Sequence, residues 1–180
     1  MKPLHLLAAS ALLFAACKES TPTVAPSGDA SSRDKALLET VLGTVPTGEA
    51  KAIGELKGTA KPGDEVTLTG RIMGNIKPFV EGRAAFILAD PSIITACSDI
   101  PGDECETPWD NCCDSPEDKR KAIATIQIVN DEGRVLKQGV EGSGGLANLA
   151  TVTVSGKVAD GSQGDVLIVN ATAIQAGKPH

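Results

Sequence analysis

The sequence predicts an all-β fold, a small closed Greek-key barrel of five strands led in by one or two short helices. Three observations carry this expectation. From residue 64 onward apolar side chains recur at every second position, the period of a half-buried strand. Five such runs are separated by turn-forming Gly, Pro, Asp and Asn. The first run has a glycine at its middle and a long connection separates the third from the fourth, features that suit a sheet curling on itself until no edge is exposed.

The elements follow in order. Residues 33–42 predict a short helix with Leu37, Leu38, Val41 and Leu42 on one face, stopped by Gly43 and Pro46. A second helical turn is expected over 49–57, turning Ile53 and Leu56 inward, so that 34–61 form a helical lead-in. Pro62-Gly63-Asp64 makes a turn into the first strand, 65–73, where Val66, Leu68, Gly70 and Ile72 alternate with Thr67, Thr69 and Arg71. The second strand, 83–90, holds Phe86, Ile87 and Leu88 and is closed by Pro91. The third, 122–130, alternates Ile126 and Ile128 with Thr125 and Gln127 and ends at Asp131-Glu132-Gly133. The fourth, 149–158, sets Val152, Val154 and Val158 against Thr151, Thr153 and Lys157. Asp160-Gly161 turns the chain into the fifth, 165–174.

Three stretches carry a family likeness: Pro62-Gly63-Asp64-Glu65-Val66-Thr67-Leu68-Thr69-Gly70-Arg71-Ile72, Ala85-Phe86-Ile87-Leu88-Ala89-Asp90, and Val152-Thr153-Val154-Ser155-Gly156-Lys157-Val158. They resemble strands of the OB-fold, and the resemblance implies an OB-like barrel over residues 62–176 with a short tail at 177–180. A β-sandwich is the alternative, for which five strands are few. Gly142-Ser143-Gly144-Gly145 falls where an OB-fold places its connecting helix, which is expected to be short or missing. These glycines are read as loop, because no Lys-Ser or Lys-Thr follows them to open a phosphate-binding helix.

The first twenty residues give an address. Lys2 precedes an apolar run at 6–14 that is too short to span a bilayer, and the run ends in Leu13-Phe14-Ala15-Ala16-Cys17. This resembles the lipobox of bacterial lipoproteins, which implies a signal peptide over 1–16, acylation of the Cys17 thiol and attachment to a lipid membrane. An ordinary secretory signal cut after Ala15 or Ala16 is the alternative. Lys18 and Glu19 follow Cys17 in place of the Asp that retains lipoproteins in the inner membrane, so the expected location is the cell envelope, on the outer membrane facing the periplasm. Residues 17–33, rich in Ser, Thr, Pro, Gly and Ala, are read as a flexible tether. Loss of the signal removes Lys2 from the 17 Lys and Arg, leaving 16 against 23 Asp and Glu, a mature net charge of −7. That balance opposes the phosphate neutralisation on which nucleic-acid affinity rests.

Between the second and third strands lies an insertion, 91–121, that holds every cysteine except Cys17: Cys97, Cys105, Cys112 and Cys113. Its Pro101-Gly102-Asp103, Thr107-Pro108-Trp109-Asp110 and Cys112-Cys113 resemble a segment of a group of exported bacterial proteins with this kind of barrel. The likeness implies no particular activity. An even number of cysteines in an oxidising compartment, within a loop poor in apolar residues, predicts two disulfides. Adjacent Cys112 and Cys113 do not readily close on each other, so each is expected to pair with Cys97 or Cys105, in an order the sequence leaves open. The alternatives are a metal site, zinc or copper(I), built from the same four thiolates, and a redox-active thiol pair. Their C-x7-C-x6-C-C spacing differs from the paired C-x2-C of zinc ribbons. Asp99, Asp103, Glu104, Glu106, Asp110 and Asp114 make the loop acidic, but at no calcium-loop spacing, and are read as a solvated face.

Trp109, the only tryptophan, is expected either to pack over the cysteines and the barrel mouth or to serve as a recognition anchor. Phe79, Arg71 and Arg83 are further candidates for contact with a ligand or partner near the first hairpin. Imidazole chemistry has no place in the domain, since the two histidines are His5 and the terminal His180. Ser92, Ser98 and Ser155 have no evident base, so no enzymatic machinery is legible and no cofactor is expected. The mature aromatics are Phe79, Phe86 and Trp109, few for stacking single-stranded bases. The functional expectation is a lipid-anchored binding or adaptor module that contacts an envelope protein or small ligand through a disulfide-stapled loop. A metal-binding envelope protein is the first alternative, and nucleic-acid binding, by fold analogy only, the second.

Overall fold

The structure, a computed structural model, describes residues 28–177, with side chains from residue 31. The signal, the acylation site Cys17 and the first part of the expected tether lie outside the described residues. Among those described, no helix is long and apolar enough to cross a membrane.

Five strands close a barrel. β2 (Glu65–Arg71) pairs antiparallel along its whole length with β5 (Thr151–Val158), from Glu65 opposite Lys157 to Arg71 opposite Thr151. At its far end β2 also meets β3 (Ala85–Ala89) through Arg71 and Ala89. β3 pairs antiparallel with β4 (Ile123–Gln127), β4 parallel with β6 (Ile168–Ala176), and β6 antiparallel with β5. The ring β2-β3-β4-β6-β5-β2 takes the barrel strands in the order first, second, third, fifth, fourth and back to the first. This is the OB-like Greek-key arrangement. A two-residue strand not anticipated from the sequence, β1 (Lys51–Ala52), lies parallel to β2 at Leu68 and Thr69.

Alternation does the work the sequence assigned to it. Leu68, Ile72, Phe86, Leu88, Ile126, Val152, Val154, Val169 and Ile174 point inward and are buried in one core cluster. Closure needs tight bends, and these occur where a side chain is missing. A Cβ on Gly70 would lie 2.6 Å from the Ala89 carbonyl oxygen, and one on Gly156 would lie 2.3 Å from that of Asn170. Gly156 also marks the register shift between β5 and β6, the irregularity that lets a short strand turn a barrel corner.

One end of the barrel is filled from an unexpected direction. The long connection after β4 holds only a single 3-10 turn, Ser143–Gly145, where an OB-fold carries a helix. Its place is taken by α1 (Gly28–Gly43), which starts inside the segment read as tether and runs to the predicted stop. Leu38 and Val41 of α1 join Leu136, Val140 and Leu146 in the core. Gln138 secures the helix by donating to the Asp34 carbonyl at 3.1 Å. The second predicted helix contracts to one turn, α2 (Ile53–Leu56), which buries Ile53 and Leu56. No side chain of its own caps it; the Asp90 carboxylate accepts from Gly54 N–H at 2.9 Å and supplies the cap from after β3.

The insertion was read as loop throughout, and there the structure corrects the reading. Residues Pro116–Ala122 form α3, opened by Ser115, whose hydroxyl oxygen accepts from Asp118 N–H at 3.1 Å, with Pro116 in the first turn. The helix has no apolar stripe and buries only Ala122, so periodicity could not reveal it. The expectation that the insertion lacks apolar support is also corrected. Ile94 and Ala96 of the insertion form a second buried cluster with Met73, Ala89 and Ala122, and Ile93, Trp109, Ile123 and Leu149 pack around it.

Candidate functional site: a cluster of thiols on the insertion

The two arms of the insertion are laced together by their backbones. Cys97 N–H donates to the Asp110 carbonyl at 2.8 Å and Ser98 N–H to that of Pro108 at 2.9 Å. Further out, Thr95 N–H donates to the Asp114 carboxylate at 3.0 Å. The chain reverses through the 3-10 turn Cys97–Asp99 and a tighter bend at 107–110, where Asp110 N–H donates to the Thr107 carbonyl at 2.8 Å. Three ties hold this hairpin to the barrel. Gly74 N–H donates to the Trp109 carbonyl at 3.0 Å, Trp109 Nε1 donates to the Ile76 carbonyl at 3.0 Å, and Arg71 forms an ion pair with Asp99.

With the arms in this register, three sulfurs converge. The Sγ atoms of Cys97, Cys105 and Cys112 all lie within 4.8 Å of one another, and Cys97 and Cys112 are 3.6 Å apart. Cys113 stands beside the group, 3.9 Å from Cys112. Exposure grades across the set: Cys97 is buried at 1%, Cys105 is half-buried, and Cys112 and Cys113 face solvent.

The two disulfides expected from the sequence are not formed. All four described cysteines are free, and 3.6 Å is well beyond the ~2.05 Å of a sulfur–sulfur bond. Backbone lacing and the second apolar cluster give the hairpin its shape without a covalent staple. Of the two adjacent cysteines, only Cys112 belongs to the converging group.

The environments of the thiols differ. Burial pushes the Cys97 thiol up to about 12. Cys105 is held below its ordinary value, first by the Thr107 hydroxyl 3.4 Å from its sulfur and then by the Thr107 backbone. At Cys112 the contact with Cys97 pulls downward, but Cys113, partial burial and the negative charge of its thiol neighbours outweigh it, and the net direction is up. Of the three, Cys105 is the thiol that gives up its proton most readily.

The other sequence candidates separate. Arg71 does not present its guanidinium to a ligand: Nε donates to the Leu149 carbonyl at 3.0 Å and the other end pairs with Asp99. Arg83 is exposed in the turn before β3. Phe79 packs on Phe86, ring centroids 6.0 Å apart, and is partly withdrawn into the main core. Phe79 and Trp109 do share one feature, a surface groove of about 450 Å³ that also takes in Ile76, Pro78 and Val80. Ile76 and Val80 are 60% and 44% exposed there.

Sequence reasoning missed three residues at the thiol cluster. Thr107 tunes Cys105, and Asp99 anchors the turn that carries Cys97. Asn111, next to Cys112, is buried at 1% with neither polar atom of its side-chain amide partnered. An Asn in a run of acidic and turn residues reads as surface, and nothing in its local pattern marks it as buried.

No family model matches the chain, and neither a curated protein nor a solved structure is similar to it by these comparisons.

Proposed function

We propose that the protein is a lipid-anchored envelope protein that holds a thiophilic metal ion on the insertion of its barrel, with Cys97, Cys105 and Cys112 as the ligands. The observation that carries this reading is the convergence of three sulfurs within 4.8 Å. Thiolates bound to one ion at about 2.3 Å stand about 3.8 Å apart in a tetrahedral shell and about 4.0 Å apart in a trigonal one, near the 3.6 Å between Cys97 and Cys112. The barrel is the rigid part: its Arg71, Gly74 and Ile76 grip the hairpin that presents the sulfurs. The envelope address rests on the lipobox-like residues that end in Cys17, which would anchor the domain to the membrane through a lipid.

The test is metal analysis combined with a thiol count on protein purified from the envelope of its own cells. The expected result is stoichiometric metal and thiols that become fully reactive once a chelator is added. Metal-free protein with no titratable thiol would overturn the reading. It would return the insertion to its other role, a disulfide-stapled recognition loop. Loss of palmitate labelling in Cys17→Ala tests the anchor separately, and unchanged labelling would remove it.

The second reading, a binding module, is favoured by one observation. Among the described residues, two of the four exposed large apolar side chains, Ile76 and Val80, border the groove shared by Trp109 and Phe79. That pairing suits contact with an envelope protein or a small apolar ligand. Nucleic acid is the weakest of the three, since Phe79 and Trp109 are engaged with the core and with Ile76.

A further inference from the structure

We propose that the ion is monovalent copper, and that Cys113 is the thiol through which it enters and leaves. This rests on the reading that Cys97, Cys105 and Cys112 bind a metal at all.

The donor set argues for the ion. Although six carboxylates flank the cysteines in sequence, no carboxylate oxygen of the described residues joins the three sulfurs within their mutual 4.8 Å. The two histidines of the chain, at positions 5 and 180, lie far from the insertion in sequence and outside the described residues. Among the described residues the converging group is sulfur alone, a soft donor set. Structural zinc closes four ligands, whereas copper(I) is selected by thiolates. A trigonal set satisfies copper(I) as it stands, whereas zinc would need a fourth ligand, from Cys113 or from water.

The gradient of exposure argues for the route. Cys97 lies at the closed side of the cluster and Cys112 at the open side, where Cys113 stands 3.9 Å away and outside the converging group. An ion bound to the three is reached from solvent past Cys113. Exchange then runs as associative ligand substitution. Cys113 gives its proton to solvent and its sulfur forms a bond to the copper. The bond to Cys97 breaks, and the Cys97 thiolate takes up a proton. A thiolate or chelator from outside next displaces Cys105, Cys112 and last Cys113, and each freed thiolate takes up a proton as its bond to copper breaks. Copper stays monovalent throughout, so no oxidant or reductant is consumed.

The experiment uses the mature chain, loaded anaerobically with copper(I), and a Cys113→Ser variant whose fold is checked by circular dichroism. The wild type is expected to hold one copper(I) per chain against excess zinc. C113S is expected to keep that stoichiometry and affinity, while transfer to the copper(I) chelator bathocuproine disulfonate slows by about tenfold or more. Cys112→Ser, by contrast, is expected to lose affinity itself. Transfer from C113S at the wild-type rate would overturn the exchange role. An affinity loss in C113S equal to that in C112S would overturn it too, by making Cys113 a fourth ligand. A wild type that keeps zinc or cadmium but yields copper(I) would overturn the choice of ion and leave the metal site standing. A wild type that retains none of the three would remove the site itself.

Discussion

The backbone N–H of Cys97 meets the carbonyl of Asp110 at 2.8 Å, and that bond sets the register of the whole insertion. Cys97 and Cys112 are fifteen residues apart in the chain, yet their sulfurs come within 3.6 Å because the arms that carry them are aligned by main-chain bonds. Cys105, at the far end of the hairpin, folds back on the same point, its N–H bonded to the Asp103 side chain at 2.7 Å. The site is thus a property of backbone pairing, and side chains outside it act by holding the hairpin to the barrel.

Arg71 and Asp99 make the clearest of those attachments. The Arg71 side chain is 22% exposed and Asp99 43%, so solvent screens the pair only in part. A double-mutant cycle with Arg71→Met and Asp99→Asn, followed by chemical denaturation, is expected to give a coupling of about 1 kcal/mol. R71M alone should cost more than D99N, because it also leaves the Leu149 carbonyl without its donor. A coupling indistinguishable from zero would show that the ion pair does not anchor the turn.

Gly156 tests the closure of the barrel. A methyl group there meets the backbone of Asn170 and Ala171, which cannot rotate away as a side-chain tip would. Gly156→Ala is expected to destabilise the domain by about 3 kcal/mol in urea denaturation. Gly133, whose added Cβ would meet nothing but whose φ is +73°, is the useful contrast: Gly133→Ala pays only the backbone strain, about 1 kcal/mol.

Asn111 is buried with an unpartnered amide, a cost to the folded state. Replacement by the near-isosteric Leu removes two polar atoms that gain nothing from burial. Asn111→Leu is therefore expected to raise stability by about 1 kcal/mol. A loss of stability instead would mean that the amide serves a bound water or ion beside Cys112.

Lys57 gives the pH dependence a sign. Its ammonium reaches the Arg120 carbonyl at 2.8 Å and the Asp165 carbonyl, and burial lowers its pKa below 10.5, with Asp165 opposing the shift. Between the lowered folded value and 10.5 the unfolded chain binds more protons at this residue, so its contribution to unfolding free energy rises with pH across that window. As pH falls through the folded value, that contribution is lost. Comparison of unfolding curves for wild type and Lys57→Met on the alkaline side should show this slope in the wild type only. Equal slopes would assign the effect to other groups.

How much of this was readable beforehand follows from the range of each interaction. Strand alternation is local, so the five barrel strands could be placed from runs such as Val152, Val154 and Val158, and their ends fall within three residues of the observed ones. Helix α1 was legible from Leu37, Leu38, Val41 and Leu42, though its extension back to Gly28 was not, because residues 28–33 carry no apolar stripe. Helix α3 escaped for the same reason.

The sequence by itself determined the alternation that builds the β-barrel, the glycine in the middle of its first strand, and the concentration of four cysteines in one insertion. These depend on neighbours a few residues apart. Only the tertiary structure decided which cysteines meet, that Arg71 binds Asp99 rather than facing solvent, and that an N-terminal helix fills the place of the missing connecting helix. Each of those depends on segments that become neighbours when the backbone closes its hydrogen bonds, as Cys97 does with Asp110.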